Sequence, residues 1–399
     1  MTDRDGVPTT IDGGSAGSRR QSSYGMEYLM NSIYDEIGVT PVINASGSMT
    51  YLGGSLMAPE VLEAMDRAAG QFVRMDELVA WGGAEIARIT GAEAGHVTTG
   101  SAGGLLLGTA ACLTGLDRKK MYQLPDTTGI KNEMVVQKLH RISFDHACRA
   151  AGAKLVEVGD ESGTTAEQLK EAITDSTAVV LYVELHPQPV VPLEEVAAIA
   201  HERGVPVMVD AAAELPPSSN LNAFLERGAD LVIFSGGKDI GGPNDSGILC
   251  GRRDLVQAAA MQAFPNSGIG RPCKVSKEQI VGLVYALRRW AALDHDARIA
   301  AWQEMAEQMC AGLQGLDGVQ AEVAFATDGA RPLVVPKTRV IVEERVARIG
   351  QVAQGLMRGE PAIAISAEPG IRALWLNPQH LEPEQVEVVV RRVREELSA

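Results

Sequence analysis

Ser235-Gly-Gly-Lys238-Asp-Ile-Gly-Gly-Pro-Asn-Asp-Ser246 follows the apolar run Leu231-Val-Ile-Phe234. Such a run reads as a buried strand, and the glycines behind it let backbone approach a ligand closely. The stretch therefore sets one lysine in a glycine-rich turn at a strand end, where it can serve as a charged catalytic group. Two plainer meanings compete. Lysines are mostly solvated surface groups, and Gly-Gly-Lys also suggests a nucleotide loop. A loop of the form GxxxxGK[ST] needs glycine at 232 and a hydroxyl at 239, whereas the chain has Val232 and Asp239, so that form is excluded.

Working outward, apolar runs that read as strands (133–136, 154–158, 178–183, 205–209, 231–234 and 247–250) alternate with helical patterns at 146–151, 166–174, 193–203 and 222–227. Alternation of this kind means crossover connections and a mostly parallel sheet covered on both faces. Ligands of such sheets sit at the carboxyl ends of strands, which is where Asp210 and Lys238 fall. Ahead of the sheet, 59–69 and 77–90 read as helices, the first opened by Pro59. Past 268–275 the pattern changes: 276–309 reads as one long helix or two. Strand candidates at 320–325, 338–342 and 362–366 and a last helix at 382–397 then make a smaller α+β domain. Residues 1–25, poor in bulky apolar groups, predict a disordered tail.

Composition narrows the function. A chain of 399 residues, 45% hydrophobic and only 4% aromatic, holds enough core for two domains. Its net charge of −15 argues against sequence-independent binding to nucleic acid or an anionic membrane and favours a small-molecule substrate. Five scattered cysteines show neither CxxC nor metal-ligand spacing and fit reduced thiols in the cytoplasm. No run reads as a membrane span or a signal-peptide core, and no metal is expected.

Three local signals remain to be joined. The segment His96-Val-Thr-Thr-Gly-Ser-Ala-Gly-Gly104 opens an apolar helix, and small residues there leave its first N–H groups free for a phosphate; a tight turn with a serine cap reads equally well. Ala102 stands where a dinucleotide fingerprint needs its middle glycine. Asp210, closing Val205-Pro-Val-Met-Val, faces the Lys238 turn across neighbouring strands, either as a salt bridge or as a second functional group. Pyridoxal 5′-phosphate explains all three: the lysine bonds its aldehyde, the aspartate holds its ring nitrogen protonated, and the turn at Gly100, Ser101 and Ala102 takes its phosphate.

TGSAGG (99–104), VMVDAAAELPP (207–217), FSGGKDIGGPNDSG (234–247) and GIGRPCKV (268–275) together resemble the selenocysteine synthase-like branch of fold-type I pyridoxal-phosphate enzymes. Within that branch the D-glucosaminate-6-phosphate ammonia-lyases are the most similar members. The resemblance implies an aspartate aminotransferase-like α/β fold, with a seven-stranded type of sheet in a large domain (76–275) and a small C-terminal domain (276–399). An N-terminal segment (26–75) would pack on the small domain and the active site. It implies Lys238 as the Schiff-base lysine and Asp210 as the partner of the pyridine nitrogen. Gly100, Ser101 and Ala102 would bind phosphate with Ser235 as a further donor, and His140 would cover the ring, with His146 as its competitor. Arg358 would grip a substrate carboxylate, Arg271 and Lys274 would meet a phosphate, and Asn44 and Ser48 would help hold substrate. A homodimer or higher homo-oligomer follows from the same resemblance. The implied reaction is α,β-elimination from a β-hydroxy amino acid or amino sugar acid to a 2-keto acid and ammonia. Racemisation or aldol cleavage would use the same lysine and aspartate. Selenium transfer to seryl-tRNA would call for a basic face, and a scaffold role would not need all three cofactor signals.

Overall fold

The computed structural model describes residues 32–184, 189–325 and 332–398. The predicted tail 1–25 and the first part of the 26–75 segment lie outside the described residues.

In chain order the strands are β1 (Val42–Asn44), β2 (Ala94–Thr99), β3 (Glu133–Gln137), β4 (Lys154–Val158), β5 (Thr177–Val183), β6 (Val207–Asp210), β7 (Leu231–Ser235) and β8 (Ser246–Gly251). They continue as β9 (Val319–Phe325), β10 (Pro336–Val342), β11 (Ala362–Ala364), β12 (Ser366–Glu368) and β13 (Ala373–Leu376). A seven-stranded sheet runs β2-β8-β7-β6-β5-β3-β4, parallel from β7 to β4 and antiparallel at the β2-β8 and β8-β7 pairs. This is the mostly parallel sheet expected of an aspartate aminotransferase-like fold.

The strand pleat divides the apolar residues of the sheet between two cores. Val207, Val209, Val232 and Phe234 face one layer with Val196, Ile86 and Leu283. Met208, Leu231 and Ile233 face the other, beneath Leu105, Leu107 and Val256. Because both faces are covered, β5 is buried along its whole length and its sequence carries no polar alternation. Truncating Phe234, which is fully buried, costs about 3–5 kcal/mol by the usual large-to-small rule.

A four-stranded antiparallel sheet, β12-β13-β10-β9, forms the second unit. Its core joins Val340, Val342, Leu374 and Leu376 to Trp302, Met305 and Met309 of the helix His295–Leu313 and to Val386, Val389 and Val393 of the helix Pro383–Ser398. β1 pairs in parallel with β11, and this brings Ile43 and Ala45 into the same core.

Two elements were left out of the sequence reading, one run divides between two sheets, and one open alternative is decided. β2 was not anticipated; its His and Thr residues hide a strand that is recognisable only once β8 lies beside it. The helix Arg253–Gln262 was likewise absent from the reading. The run 362–366 serves two sheets, β11 pairing with β1 and β12 with β13. The helical run after 275 is two helices, Lys277–Ala291 and His295–Leu313, the second opened by an Asp294 cap on the Ala297 N–H. The first of them packs Ile280, Leu283, Leu287 and Trp290 into the core of the large sheet, so residue 275 marks a loop and the second core begins with Trp302.

Candidate functional site

The site begins where β6 and β7 end. Asp210 pairs in register with Ile233, and the Ala211 N–H donates to the Ile233 carbonyl at 2.9 Å, which fixes the two following loops side by side. Asp210 is 7% exposed, and its Oδ1 accepts from the Ala212 N–H at 3.0 Å. Burial raises its carboxyl above the usual range, with the Ala212 N–H and the Lys238 charge pulling the other way. Lys238 shows the mirror image: burial lowers its amine, opposed by the charges of Asp210 and Glu214. Aspartate and lysine act on each other through charge, without a hydrogen bond between them among the described residues. The simple salt bridge considered from the sequence is therefore replaced by a buried carboxylate and a half-buried amine that act on each other through charge. An amine lowered in this way is a better base near neutral pH than a surface lysine.

The second part is the start of the helix Gly100–Thr114. Gly100 has φ +61°, a conformation that favours glycine, and its N–H donates to the Asp245 carbonyl at 2.9 Å. That bond ties the turn to the loop carrying Lys238. It also means that Gly100 serves through its conformation, since its own N–H is engaged. Ser101 and Ala102 follow in the first turn, where N–H groups have no partner within the helix and the helix dipole favours an anion. The apolar remainder of the helix is seated on the sheet, with Gly108 against Met208 Sδ, and so aims its N-terminus at the strand ends. Ser235 is half-buried and pairs with Gly247 on β8.

His140 follows β3, in the single turn Lys138–His140. Its ring stands edge-on to Tyr182, with centroids 4.5 Å apart, and Tyr182 lies one residue from the register partner of Asp210. Burial lowers its pKa to about 4, so the ring is neutral, and its buried Nδ1 has no hydrogen-bond partner among the described residues. His146 is exposed at the start of its helix. Of the two competitors, only His140 is turned into the protein.

The residues expected to hold substrate are more dispersed. Ser48 Oγ meets His380 Nε2 at 2.7 Å. Asn44 engages both ends of its amide in its own turn, donating to the Gly47 carbonyl at 2.8 Å and accepting from the Ser46 N–H at 2.9 Å. Arg358 is exposed at the end of the helix Ile349–Arg358. Arg271 and Lys274 are exposed with their cationic ends over the Phe264 ring, at 5.0 and 5.4 Å. The Lys274 carbonyl accepts from Thr99 Oγ1 at 3.0 Å, so this segment borders the Gly100 turn.

Three residues near Lys238 were missed. Glu214, 5% exposed, lies inside the VMVDAAAELPP motif and acts on the lysine by charge. Asp239, next to Lys238 in sequence, and His380, near the C-terminus, border the site through the turn that carries Gln379. Glu214 and Asp239 were both within quoted motifs, but burial of a carboxylate leaves no mark in sequence.

The parts suit pyridoxal 5′-phosphate: a lowered amine for the aldehyde, a buried carboxylate for the ring nitrogen, N–H groups at a helix start for the phosphate, and a buried, neutral imidazole beside them. Comparisons agree. Residues 42–314 match the family described as SelA, L-seryl-tRNA selenium transferase. A 5′-C-glycyluridine monooxygenase-decarboxylase of Streptomyces sp is 37% identical over 94% of this chain and 93% of the relative. The D-glucosaminate-6-phosphate ammonia lyase of Salmonella typhimurium is 33% identical over 91% of this chain and 97% of its own. A solved D-glucosaminate-6-phosphate ammonia-lyase superposes with a TM-score of 0.81 at 32% identity, covering 92% of this chain and 99% of that one. A more distant structure, of SPT with PLP, shares the fold at a TM-score of 0.58 and 16% identity, over 89% of this chain and 87% of that one. The fold is that of the pyridoxal-phosphate-dependent transferases, and pyridoxal 5′-phosphate is the cofactor.

Proposed function

This chain belongs to the family described as SelA, L-seryl-tRNA selenium transferase, and on that premise we propose that it is a pyridoxal-phosphate-dependent ammonia-lyase. Its substrate would be a β-hydroxy amino acid or an amino sugar acid such as D-glucosaminate 6-phosphate, and its products a 2-keto acid and ammonia. The observation that carries the reading is the pairing of Lys238 and Asp210 in one buried environment at adjacent strand ends. The ammonia-lyase structure, similar over nearly the whole of both chains, supports the reaction class.

Lys238 would hold the cofactor aldehyde and Asp210 its ring nitrogen, Ser101 and Ala102 its phosphate with Ser235 beside them, and His140 its ring. When bound, the cofactor supplies an electron sink for negative charge at the substrate α-carbon. Lys238, its amine lowered by burial, accepts the α-proton. The same Nζ can hand that proton to the departing β-oxygen, so that Cα–H and Cβ–O break, a Cα–Cβ double bond forms and water leaves. Hydrolysis of the released enamine returns one water and gives the keto acid and ammonia, which closes the balance. Asp210 keeps a negative charge at the far end of the site throughout, with Ala212 donating to it. Arg358 for a carboxylate, Arg271 and Lys274 for a phosphate, and Ser48 for a hydroxyl are the substrate contacts we assign, by virtue of their residue types.

A second reading has its own support in the 37% identical relative, named as a monooxygenase-decarboxylase. Lysine and aspartate serve either outcome. Incubating the holoenzyme with D-glucosaminate 6-phosphate and with D- and L-β-hydroxy amino acids separates them: equal release of ammonia and keto acid without oxygen supports the lyase. Oxygen uptake with carbon dioxide release overturns it. Transfer to seryl-tRNA is disfavoured by the charge of −15.

A homo-oligomer is part of the proposal. Tyr51, Leu56 and Phe72, respectively 63, 83 and 105% exposed, lie within one N-terminal stretch, and light scattering at the mass of a single 42.3 kDa chain would contradict it. We also infer a cytoplasmic setting from the free cysteines Cys112, Cys148, Cys250, Cys273 and Cys310. No helix among the described residues is long and apolar enough to cross a membrane.

A further inference from the structure

The lysine turn is bonded to distant chain on both flanks of Lys238. On one side the Gly237 carbonyl accepts from the Ser55 N–H at 3.0 Å and from Ser55 Oγ at 3.1 Å. On the other, the Asp239 side chain is only 2% exposed and accepts from Trp290 Nε1 at 2.6 Å, from Arg298 Nη1 and Nη2 at 3.1 and 3.0 Å, and from Gln379 Nε2 at 2.8 Å. These donors come from the helix Lys277–Ala291, the helix His295–Leu313 and the turn Pro378–His380. His380, next to Gln379, bonds Ser48. One carboxylate thus joins the lysine turn to both helices and to the turn that also holds the N-terminal segment.

A buried ion pair is a poor choice if stability alone is at stake, since well-packed apolar residues of similar size hold a fold as well or better. The position of this one supplies another reason. Gly236 and Gly237 precede the lysine and leave its backbone unrestrained by any side chain of their own, and the amine stands at the end of a flexible four-carbon stem. Misplacing a reacting group by about 1 Å can cost on the order of 10²-fold in rate. Within the turn the Gly241 N–H donates to the Lys238 carbonyl at 3.0 Å and the Gly242 N–H to the Gly236 carbonyl at 2.8 Å; the restraint by side chains comes from outside it, and Asp239, with the richest set of such bonds, is the residue that provides it.

We propose that Asp239 is a positioning residue for Lys238, fixing the backbone on the C-terminal side of the lysine so that Nζ stands at the cofactor aldehyde and, later, at the substrate α-proton. This rests on the reading of Lys238 as the cofactor-bearing base. Its effect should appear before any substrate is added, in the reaction of the lysine with the cofactor itself.

The test compares the wild-type chain with Asp239→Asn, with the double variant Asp239→Asn/Arg298→Gln and with Lys238→Ala, each stripped of cofactor and mixed with pyridoxal 5′-phosphate. Three quantities are read: the rate at which the visible band appears, the pH midpoint of that band in the loaded protein, and Tm. Asp239→Asn should lower Tm, displace the pH midpoint from the wild-type value and slow band formation by about 10²-fold. The double variant removes the unpaired arginine, so Tm should recover while band formation stays slow and the pH midpoint stays displaced. Recovery of the rate in step with Tm, or a wild-type midpoint in both variants, overturns the proposal and leaves Asp239 a structural residue. A visible band in Lys238→Ala would instead sink the assignment of the lysine, a different failure with a different signature.

Discussion

The half of the site built on the large sheet and the half that faces it are held together in opposite ways. Asp210, Lys238 and the Gly100 turn hang from strands β6 and β7 and from one helix start, and their backbones are cross-bonded within the same sheet end. The facing half is collected from remote chain: Ser48 meets His380 across 332 positions, Ser46 meets Ser366 across 320, and Gln379 reaches Asp239 across 140. Charge separates them as well. In the first half, buried groups have shifted ionisation, the aspartate upward and the lysine downward; in the second, Arg358, Arg271 and Lys274 remain exposed. On the assignment proposed above, chemistry falls to the part whose backbone is rigid and local, and recognition to parts that can be varied without disturbing the sheet.

The sharpest way to break this comparison is to remove one group from each half. Lys238→Ala should abolish the visible cofactor band and lower turnover by at least ~10³-fold, because base and cofactor attachment vanish together. Asp210→Asn should keep the protein folded and cost about 10²–10³-fold in kcat, the scale of losing one preorganised electrostatic partner. On the facing half, Ser48→Ala should raise KM by no more than about tenfold with kcat nearly kept, as expected for one hydrogen bond. A kcat collapse in Ser48→Ala would show that the two halves are not so divided.

Acid provides a further probe of the rigid half. His96 on β2 is 4% exposed, and burial lowers its pKa from 6.5 to about 4. In the unfolded chain it gains a proton as pH falls through 6.5, while the folded protein resists until about pH 4. The stability that neutral His96 confers is therefore complete above pH 6.5 and disappears as pH drops towards 4, on the order of 3 kcal/mol in all. Urea midpoints measured between pH 7 and 4 should fall more steeply for wild type than for His96→Gln. The smallest effect belongs to the periphery: Arg345→Ala, which breaks an exposed pair with Asp317 and Glu343, should leave the urea midpoint of the same titration almost unchanged.

Legibility in sequence followed the same division. The Lys238 turn, Asp210 and the phosphate turn could be found because each is a contiguous motif bound to a strand or helix end, and the alternating apolar runs predicted the sheet around them. Strand β2 escaped because its His96 and Thr98 do not look like a buried strand until β8 covers them. The helix Lys277–Ala291 was placed in the small domain because its apolar spacing shows which face is buried and not against what; its Trp290 in fact reaches Asp239. Asn44 could be read as a substrate group or as a self-bonded turn, and its amide is engaged in the turn.

By itself, the sequence determined the cofactor chemistry: a lysine, an aspartate and a helix start at strand ends need only local backbone to be in place. Tertiary structure alone decided which carboxylates are buried beside that lysine and what holds its turn. Glu214 and Asp239 owe their burial to distant segments, and Asp239 its bonds to donors such as Arg298 and Gln379, 59 and 140 residues away; neither burial nor such remote partners are encoded in local spacing.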